Sequence, residues 1–461
     1  MLLYHYRPYR TALTEIEKQT LYFADYKVLN DPMEGYVNVV WQGDGIAWSG
    51  LLRNYICSLD NVLSLYLIQA GCEKLREHTI LRSVCVFDDV PYGNVLKNLG
   101  DEFLKNRTVI KIIQLYGTKE LKCSKKELQA ILRLVHFQAL SLCIKDGIKR
   151  GIIPEDECGI AAQFNVKETF ADIPEEIYWN MDEKVRIGLI EFMEQVITDR
   201  IDTMRAEKSD NEEEQRKAWK VIVFEYPAVY TEKIVEMIHP HMYLTCFSAF
   251  GTNSAMWGNY AENHSGICLI YETKTNFQKE SLPLKLPYAF GGDGEIATKY
   301  QDKEILRVRY ENEVQQINFF TMLGTLSGKE IGAWLLDEQG NRSCCIEKIY
   351  INTEEWRKNY WECLRERYCR KMKDWAHEEE YRILLPDAFG EFREFEKRCV
   401  QYSLDSLKGI IFGIKIESEK KYQTIRMIKE LCLKSQKKDF MFYQAEHDTQ
   451  TGKIKIRELH V

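Results

Sequence analysis

The octet Trp375-Ala376-His377-Glu378-Glu379-Glu380-Tyr381-Arg382 sets three consecutive carboxylates, a Trp and a His directly before the apolar run Ile383-Leu384-Leu385. Side chains alternate between the faces of a strand, so Glu378 and Glu380 are expected on one face, with Glu379 and Tyr381 on the other. Two carboxylates sharing a face raise one partner's proton affinity. Such a pair can set a general base beside an ionised group that stabilises a cationic transition state. The same octet also reads as a solvated acidic turn paired with Arg382.

Three other segments combine aromatic and polar groups: Tyr4-His5-Tyr6-Arg7-Pro8, then Leu29-Asn30-Asp31-Pro32 with Glu34, then Cys246-Phe247-Ser248 running on to Met256-Trp257, Tyr260 and Asn263-His264-Ser265-Gly266. Arg7 suits a phosphate or a carboxylate within the fold, for instance Asp31 or Glu34. Asn30-Asp31-Pro32 is first a turn, because Asn and Asp bond their own backbone and Pro fixes the next angle. Met256, Trp257 and Tyr260 stand at helical spacing, as core or as a substrate platform. His264 can cap that helix or act as a base. Ser248 with His264 would make a serine hydrolase, but no Gly-x-Ser-x-Gly elbow surrounds the serine. Asp31 with the glutamates would hold Mg²⁺ in a nuclease, but no Lys stands beside them in the usual strand pattern.

The elements that must position these groups come from both ends of the chain. Leu2 to Tyr6 alternates as a strand, Thr11 to Gln19 forms a short helix, and Leu21 to Ala24 is a second strand. Residues 51–70, 94–116, 126–150 and 182–206 have helical periodicity, and Ser209 to Glu214 reads as an exposed acidic face. Strands return at Met242–Ala249, Gly266–Tyr271, Leu284–Ala289, Ile346–Ile351, Tyr381–Leu385, Gly409–Phe412, Phe440–Ala445 and Lys453–Leu459, with helices at Ser254–Ala261 and Lys420–Lys434. The pattern predicts an α+β domain over residues 1–49 and 221–461 bracketing a helical insertion at 50–220, a division that suits a chain of 461 residues. The loops near Gly291–Gly294 and Gly324–Gly328 fit neither phosphate-binding fingerprint.

The net charge of −7, from 63 basic and 70 acidic residues, gives no basic footprint for duplex nucleic acid. The Met-Leu-Leu-Tyr-His-Tyr-Arg-Pro start does not read as a signal peptide, and no window approaches the roughly 18 apolar residues of a membrane span, so a soluble, cytoplasmic protein is expected. The 14 cysteines are scattered through apolar surroundings, as buried thiols rather than a disulfide framework, and no metal is expected.

The four segments, in content and order, resemble the bacterial family known as domain of unknown function 2971. Its members open with a Tyr-x-Tyr-Arg-like strand and an Asn-Asp-Pro turn, and continue with Cys-Phe-Ser, Met-Trp-x-x-Tyr-x-x-x-His-x-Gly and Trp-x-x-Glu-x-Glu-Tyr-Arg. The resemblance covers residues 1–42 and 240–461. A second resemblance is to ADP-ribosyltransferases of the Arg-Ser-Glu type, which carry those residues on a first, a middle and a late strand. Arg7, Ser248 and Glu378 with Glu380 follow that order, although Ser248-Ala249-Phe250 departs from the Ser-Thr-Ser of the pattern.

That resemblance implies an ADP-ribosyltransferase-like sheet and NAD as substrate, with Arg7 gripping the pyrophosphate, Ser248 orienting ribose, and Glu380, assisted by Glu378, as the catalytic carboxylate. Tyr4, Tyr6, Asn30, Asp31, Trp257, Tyr260, His264 and Arg382 would bind substrate or shape the pocket. It further implies a protein or nucleic-acid acceptor, a toxin or phage-defence setting, and a helical insertion that meets a partner or inhibitor. The other reading is a noncatalytic protein holding a ligand or peptide in the same pocket.

Overall fold

The computed structural model describes residues 1–68, 71–81, 91–118, 121–153, 180–189, 191–192, 195, 213–276, 278–290, 296–350, 353–388 and 390–461. It is a mixed α+β protein, with 49% of the described residues helical and 25% in strands. Contacts divide it into two compact units: Met1–Tyr36, Pro240–Gln315 and Cys363–Val461 form one, Val37–His239 and Gln316–Glu362 the other. Much of the 182–206 and Ser209–Glu214 stretches, and Gly291–Gly294, lie outside the described residues.

The first unit is built on a nine-stranded sheet that curls into a half-barrel. Its strands in chain order are β1 (Leu2–Arg7), β2 (Ala24–Asp25), β3 (His241–Ser248), β4 (Ile267–Glu272), β5 (Leu306–Arg307), β6 (Glu380–Asp387), β7 (Leu407–Phe412), β8 (Met441–His447) and β9 (Ile454–Glu458). They lie in the order β5-β6-β3-β1-β4-β7-β8-β9, with β2 paired to β3 beside this path. All pairings are antiparallel except β7 with β8. The strand residues Ile267-Cys268-Leu269-Ile270-Tyr271 are buried on both faces, as a central position in the sheet requires.

One face carries Leu3, Phe247, Leu269, Ile383 and Ile410 and is covered by helices α1 (Tyr9–Lys18) and α3 (Ser418–Ser435), through Ala12, Ile16 and Ile428. The other face carries Tyr6, Cys268, Ile270 and Ile411 and packs on α2 (Ser254–Tyr260) through Met256 and Trp257. α1 ends because Gln19 turns left-handed at φ 54°, letting its N–H bond back to the helix.

The second unit is helical around the long buried helices Gly45–Leu67 and Lys125–Lys149. Periodicity drew this unit at 50–220, whereas the contacts extend it to residues 37–49, 221–239 and 316–362. Pairing is the reason: Asn38–Trp41 joins Gln316–Asn318 and Cys123–Ser124 in a small sheet assembled from distant sequence. Gly50 lies so close to the Trp334 carbonyl that a Cβ would stand 2.1 Å from its oxygen.

Of residues 346–351, expected as a strand, 346–350 belong instead to the helix Cys344–Tyr350, and 351 lies outside the described residues. The Cys344 N–H donates to Asp44 at 2.6 Å and the Cys345 N–H to Ser343 Oγ at 3.1 Å, so side chains satisfy the first turn. Among the described residues, one helix, Lys125–Lys149, is long and apolar enough to cross a membrane, and 72% of its apolar window is buried inside the protein. All the described cysteines are free thiols.

Candidate functional site

A cavity of about 150 Å³ opens in the first unit where β1 and β3 separate. β1 meets β4 along six residues but meets β3 only at Tyr4↔Ser248. Beyond that pair the His5 ring enters the gap, its Nδ1 2.6 Å from the Cys246 carbonyl. That contact occupies a strand acceptor which no ladder bond from β1 fills.

β6 continues the row, since Ser248 also stands opposite Glu380. Tyr4, Ser248 and Glu380 therefore lie side by side on three adjacent strands, and all three line the cavity. Glu378 and Glu380 do converge there, but not by strand alternation. Glu378 ends the 3₁₀ helix Lys373–Glu378, Glu379 is left-handed at φ 46°, and the strand begins only at Glu380.

The two carboxylates are buried and fully partnered. Arg382 donates to both Glu380 oxygens, Nε to Oε1 at 2.8 Å and Nη2 to Oε2 at 3.0 Å. Lys371 Nζ lies 3.0 Å from Glu380 and 2.6 Å from Glu378 Oε2, while Tyr260 O–H donates to Glu378 Oε1 at 2.6 Å. Glu34 completes the cluster, accepting from Arg382 Nη2 at 3.1 Å. Three buried carboxylates thus face two buried cations.

Burial would raise the Glu380 carboxyl, but the Arg382 and Lys371 charges outweigh it and hold it at about 2. Glu34, where burial dominates over Arg382, is raised. Lys371 is raised too, burial being overcome by Glu380 and Glu378. The arrangement keeps Glu380 anionic at neutral pH. It therefore suits an electrostatic role rather than that of a proton acceptor.

The Asn30-Asp31-Pro32 segment is the turn its residues predict, and it aims two groups at this cluster. Asp31 Oδ1 accepts from the Met33 N–H at 2.9 Å and the Asp31 carbonyl from the Glu34 N–H at 3.0 Å. Asn30 Nδ2 donates to Tyr260 O–H at 3.1 Å, so turn, helix α2 and Glu378 form one chain of hydrogen bonds.

The remaining predicted residues are placed otherwise. Arg7 lines the cavity, yet its Nε donates to Glu15 at 3.0 and 3.2 Å, and neither Asp31 nor Glu34 is its partner. The Ser248 hydroxyl donates to the Glu378 carbonyl at 2.8 Å and fixes the turn before β6. Tyr6 lines the cavity and donates to the Phe250 carbonyl at 2.6 Å. Trp257 is fully buried, edge-on to Tyr6, and donates to Gly251 rather than facing the cavity. His264 also lies off the cavity, left-handed at φ 71°, its carbonyl accepting from the Lys415 N–H. Arg382 is enclosed behind the glutamates. Among the described residues no group of three or more His, Cys, Asp and Glu is arranged to hold a metal ion.

Two site residues carried little sequence signal. Lys371, whose ammonium also lies 5.1 Å from the Trp375 ring centre, comes from the two-residue strand Arg370–Lys371. Only the acid excess of the following octet called for a nearby cation. Glu15 sits three residues after Ala12 and beside Ile16 on the buried face of α1, and a charge at such a position signals a partner.

Residues 256–383 match the family model described as "Protein of unknown function (DUF2971)". The match runs from the Met256-Trp257 block through the acidic octet, and it places this stretch in the family that the four segments resemble. No curated protein and no solved structure matches the chain.

Proposed function

We propose that the protein is an ADP-ribosyltransferase-like enzyme that cleaves the nicotinamide–ribose bond of NAD, with the nicotinamide end in the cavity and the rest of the dinucleotide outside it. The observation that carries this reading is the row Tyr4–Ser248–Glu380, an aromatic ring, a hydroxyl-bearing strand and a carboxylate held ionised at one cavity wall. A fixed anion there opposes the positive charge that develops on ribose as nicotinamide leaves. Glu378, reached through Tyr260, is the second carboxylate. Arg7 would have to leave Glu15 to grip pyrophosphate, so Lys371 and Arg382 act instead by fixing the glutamates. The cytoplasmic setting, the toxin or defence role, and a protein or nucleic-acid acceptor belong to the same proposal.

One observation favours the noncatalytic reading: every oxygen of Glu378 and Glu380 is already engaged by a protein donor. The test is nicotinamide release from NAD by the purified chain, with and without lysate, for wild type and Glu378→Gln, with thermal unfolding as a check on folding. Release lost in a folded Glu378→Gln supports the enzyme. No NAD consumption by folded wild type moves the protein to the ligand-binding class.

A further inference from the structure

A second cleft lies in the first unit, between α3 and the strands β8 and β9, and it shares no lining residue with the cavity at the glutamates. Its volume is about 440 Å³, against about 150 Å³ there. Two backbone joints build its walls. Gln436 is left-handed at φ 57° and ends α3, and the Lys437 N–H then donates back to the Cys432 carbonyl at 2.9 Å. Lys437 and Lys438 thereby line the same cleft as Ile428 and Lys429 of the helix. On the other side the Leu459 N–H donates to the Phe442 carbonyl at 2.8 Å and holds the residues after β9 as the second wall.

Floor and rim differ in chemistry. Ile428, Phe440, Phe442 and Leu459 are apolar, with Ile428 fully buried and the two Phe rings 5.1 Å apart. Lys429, Lys437 and Lys438 bring three positive charges. Among the described residues of the lining the one acid is Glu458, 3.7 Å from His460.

Lys437 is the informative member. Its side chain is 3% exposed, and an ammonium so enclosed needs anionic company. It has the exposed Asp439 at 3.2 Å and the Asp405 carbonyl at 3.5 Å, a long contact for a hydrogen bond. Asp439 is itself divided, since its other oxygen accepts from Lys408 at 2.7 Å. An ammonium carries three hydrogens, so at least one is unspent among the described residues. The cations of the lining are lysines and no arginine stands with them. A compact ammonium suits the clustered oxygens of a phosphate, whereas a planar carboxylate is read best by the guanidinium fork. A cavity of about 150 Å³ holds benzene, so this cleft has room for a fused ring beside the phosphate.

We propose that the cleft binds a small organic phosphate with an aromatic body, its ring on Phe440 and Phe442 and its phosphate among Lys429, Lys437 and Lys438. The site uses no residue of the proposed NAD chemistry and stands or falls apart from it.

The experiment is calorimetric titration of the full chain with naphthyl phosphate, naphthol, inorganic phosphate and naphthylmethylamine, using wild type, Lys437→Met and Lys438→Met, with thermal unfolding as a check on folding. Naphthyl phosphate should bind about tenfold or more tightly than naphthol or inorganic phosphate, and each variant should lose about tenfold, the effect of one charged hydrogen bond. Added salt should weaken binding. Lys438 is exposed, so Lys438→Met decides the matter even if Lys437→Met does not fold. The inference is overturned if naphthyl phosphate does not bind, or if naphthol binds as tightly, which makes the cleft merely apolar. Inorganic phosphate binding as tightly would leave only a basic surface patch, and the amine binding tightest would hand the cleft to Glu458 and Asp439. A folded Lys438→Met that binds like wild type overturns it as well.

Discussion

Arg382 and Glu34 are 348 residues apart in sequence and form the buried ion pair that ties the N-terminal turn to strand β6. Arg382 divides its guanidinium between Glu34 and Glu380, so the position of each carboxylate depends on the other.

Removing one side of this pair strands charge in the interior. Glu34→Gln is expected to lower unfolding stability by about 3 kcal/mol or more, the range measured for broken buried pairs. Denaturant unfolding followed by circular dichroism gives the value. A loss below about 1 kcal/mol would mean that the cluster is hydrated and only weakly coupled.

Glu380 gives stability an acid limb of known sign. Its carboxyl lies at about 2 in the fold against an ordinary 4.5. Its contribution is present above 4.5 and is lost as pH falls from 4.5 towards 2. Glu34 and Glu15 are raised by burial and act in the opposite sense, contributing below 4.5 and losing that contribution as pH rises. The stability gap between wild type and Glu380→Gln should thus shrink steadily between pH 5 and 2.5. A gap independent of pH would show that Glu380 is not held down by its cations.

Tyr260 links Asn30 to Glu378 at 3.1 and 2.6 Å. Tyr260→Phe keeps the ring and leaves Glu378 with Lys371, so it should cost only about 1 kcal/mol of stability. If Glu378 acts on the substrate, nicotinamide release should fall about tenfold or more through the misplaced carboxylate. Release unchanged from wild type would remove Glu378 from the chemistry.

Arg7 and Glu15 should behave as one unit. Arg7→Met takes the guanidinium from a buried carboxylate that keeps only His5 at 3.6 Å and a backbone bond at Tyr22, and Glu15→Leu leaves an Arg beside the cavity. Each single variant is expected to be less stable than the double variant, with a coupling energy of about 1–3 kcal/mol in a double-mutant cycle. Additive effects would leave Arg7 free to serve a ligand.

Much of the frame was legible in the chain. Alternation gave β1, short apolar runs gave β3, β4 and β6, and the Asx-Pro turn at residues 30–32 followed from side chains that bond their own backbone. These are local properties, decided by residues a few positions apart. Ile346–Ile351 misled because its β-branched residues also suit a helix once Asp44, 300 residues away, satisfies the first turn.

The site lay mostly beyond such local signals. Four blocks identified Tyr4, Asn30, Ser248, Tyr260 and the glutamates as company, yet not which atom meets which. The sequence by itself determined that three acids precede an apolar strand and offered Arg382 as a partner for them. Only the tertiary structure decided that the acids are buried, that Lys371 joins Arg382 among them, that Arg7 belongs to Glu15, and that His5 fills the gap between β1 and β3. Charge pairing in an interior depends on distance in space and on exclusion of water, and neither quantity is written in the spacing of residues along a chain.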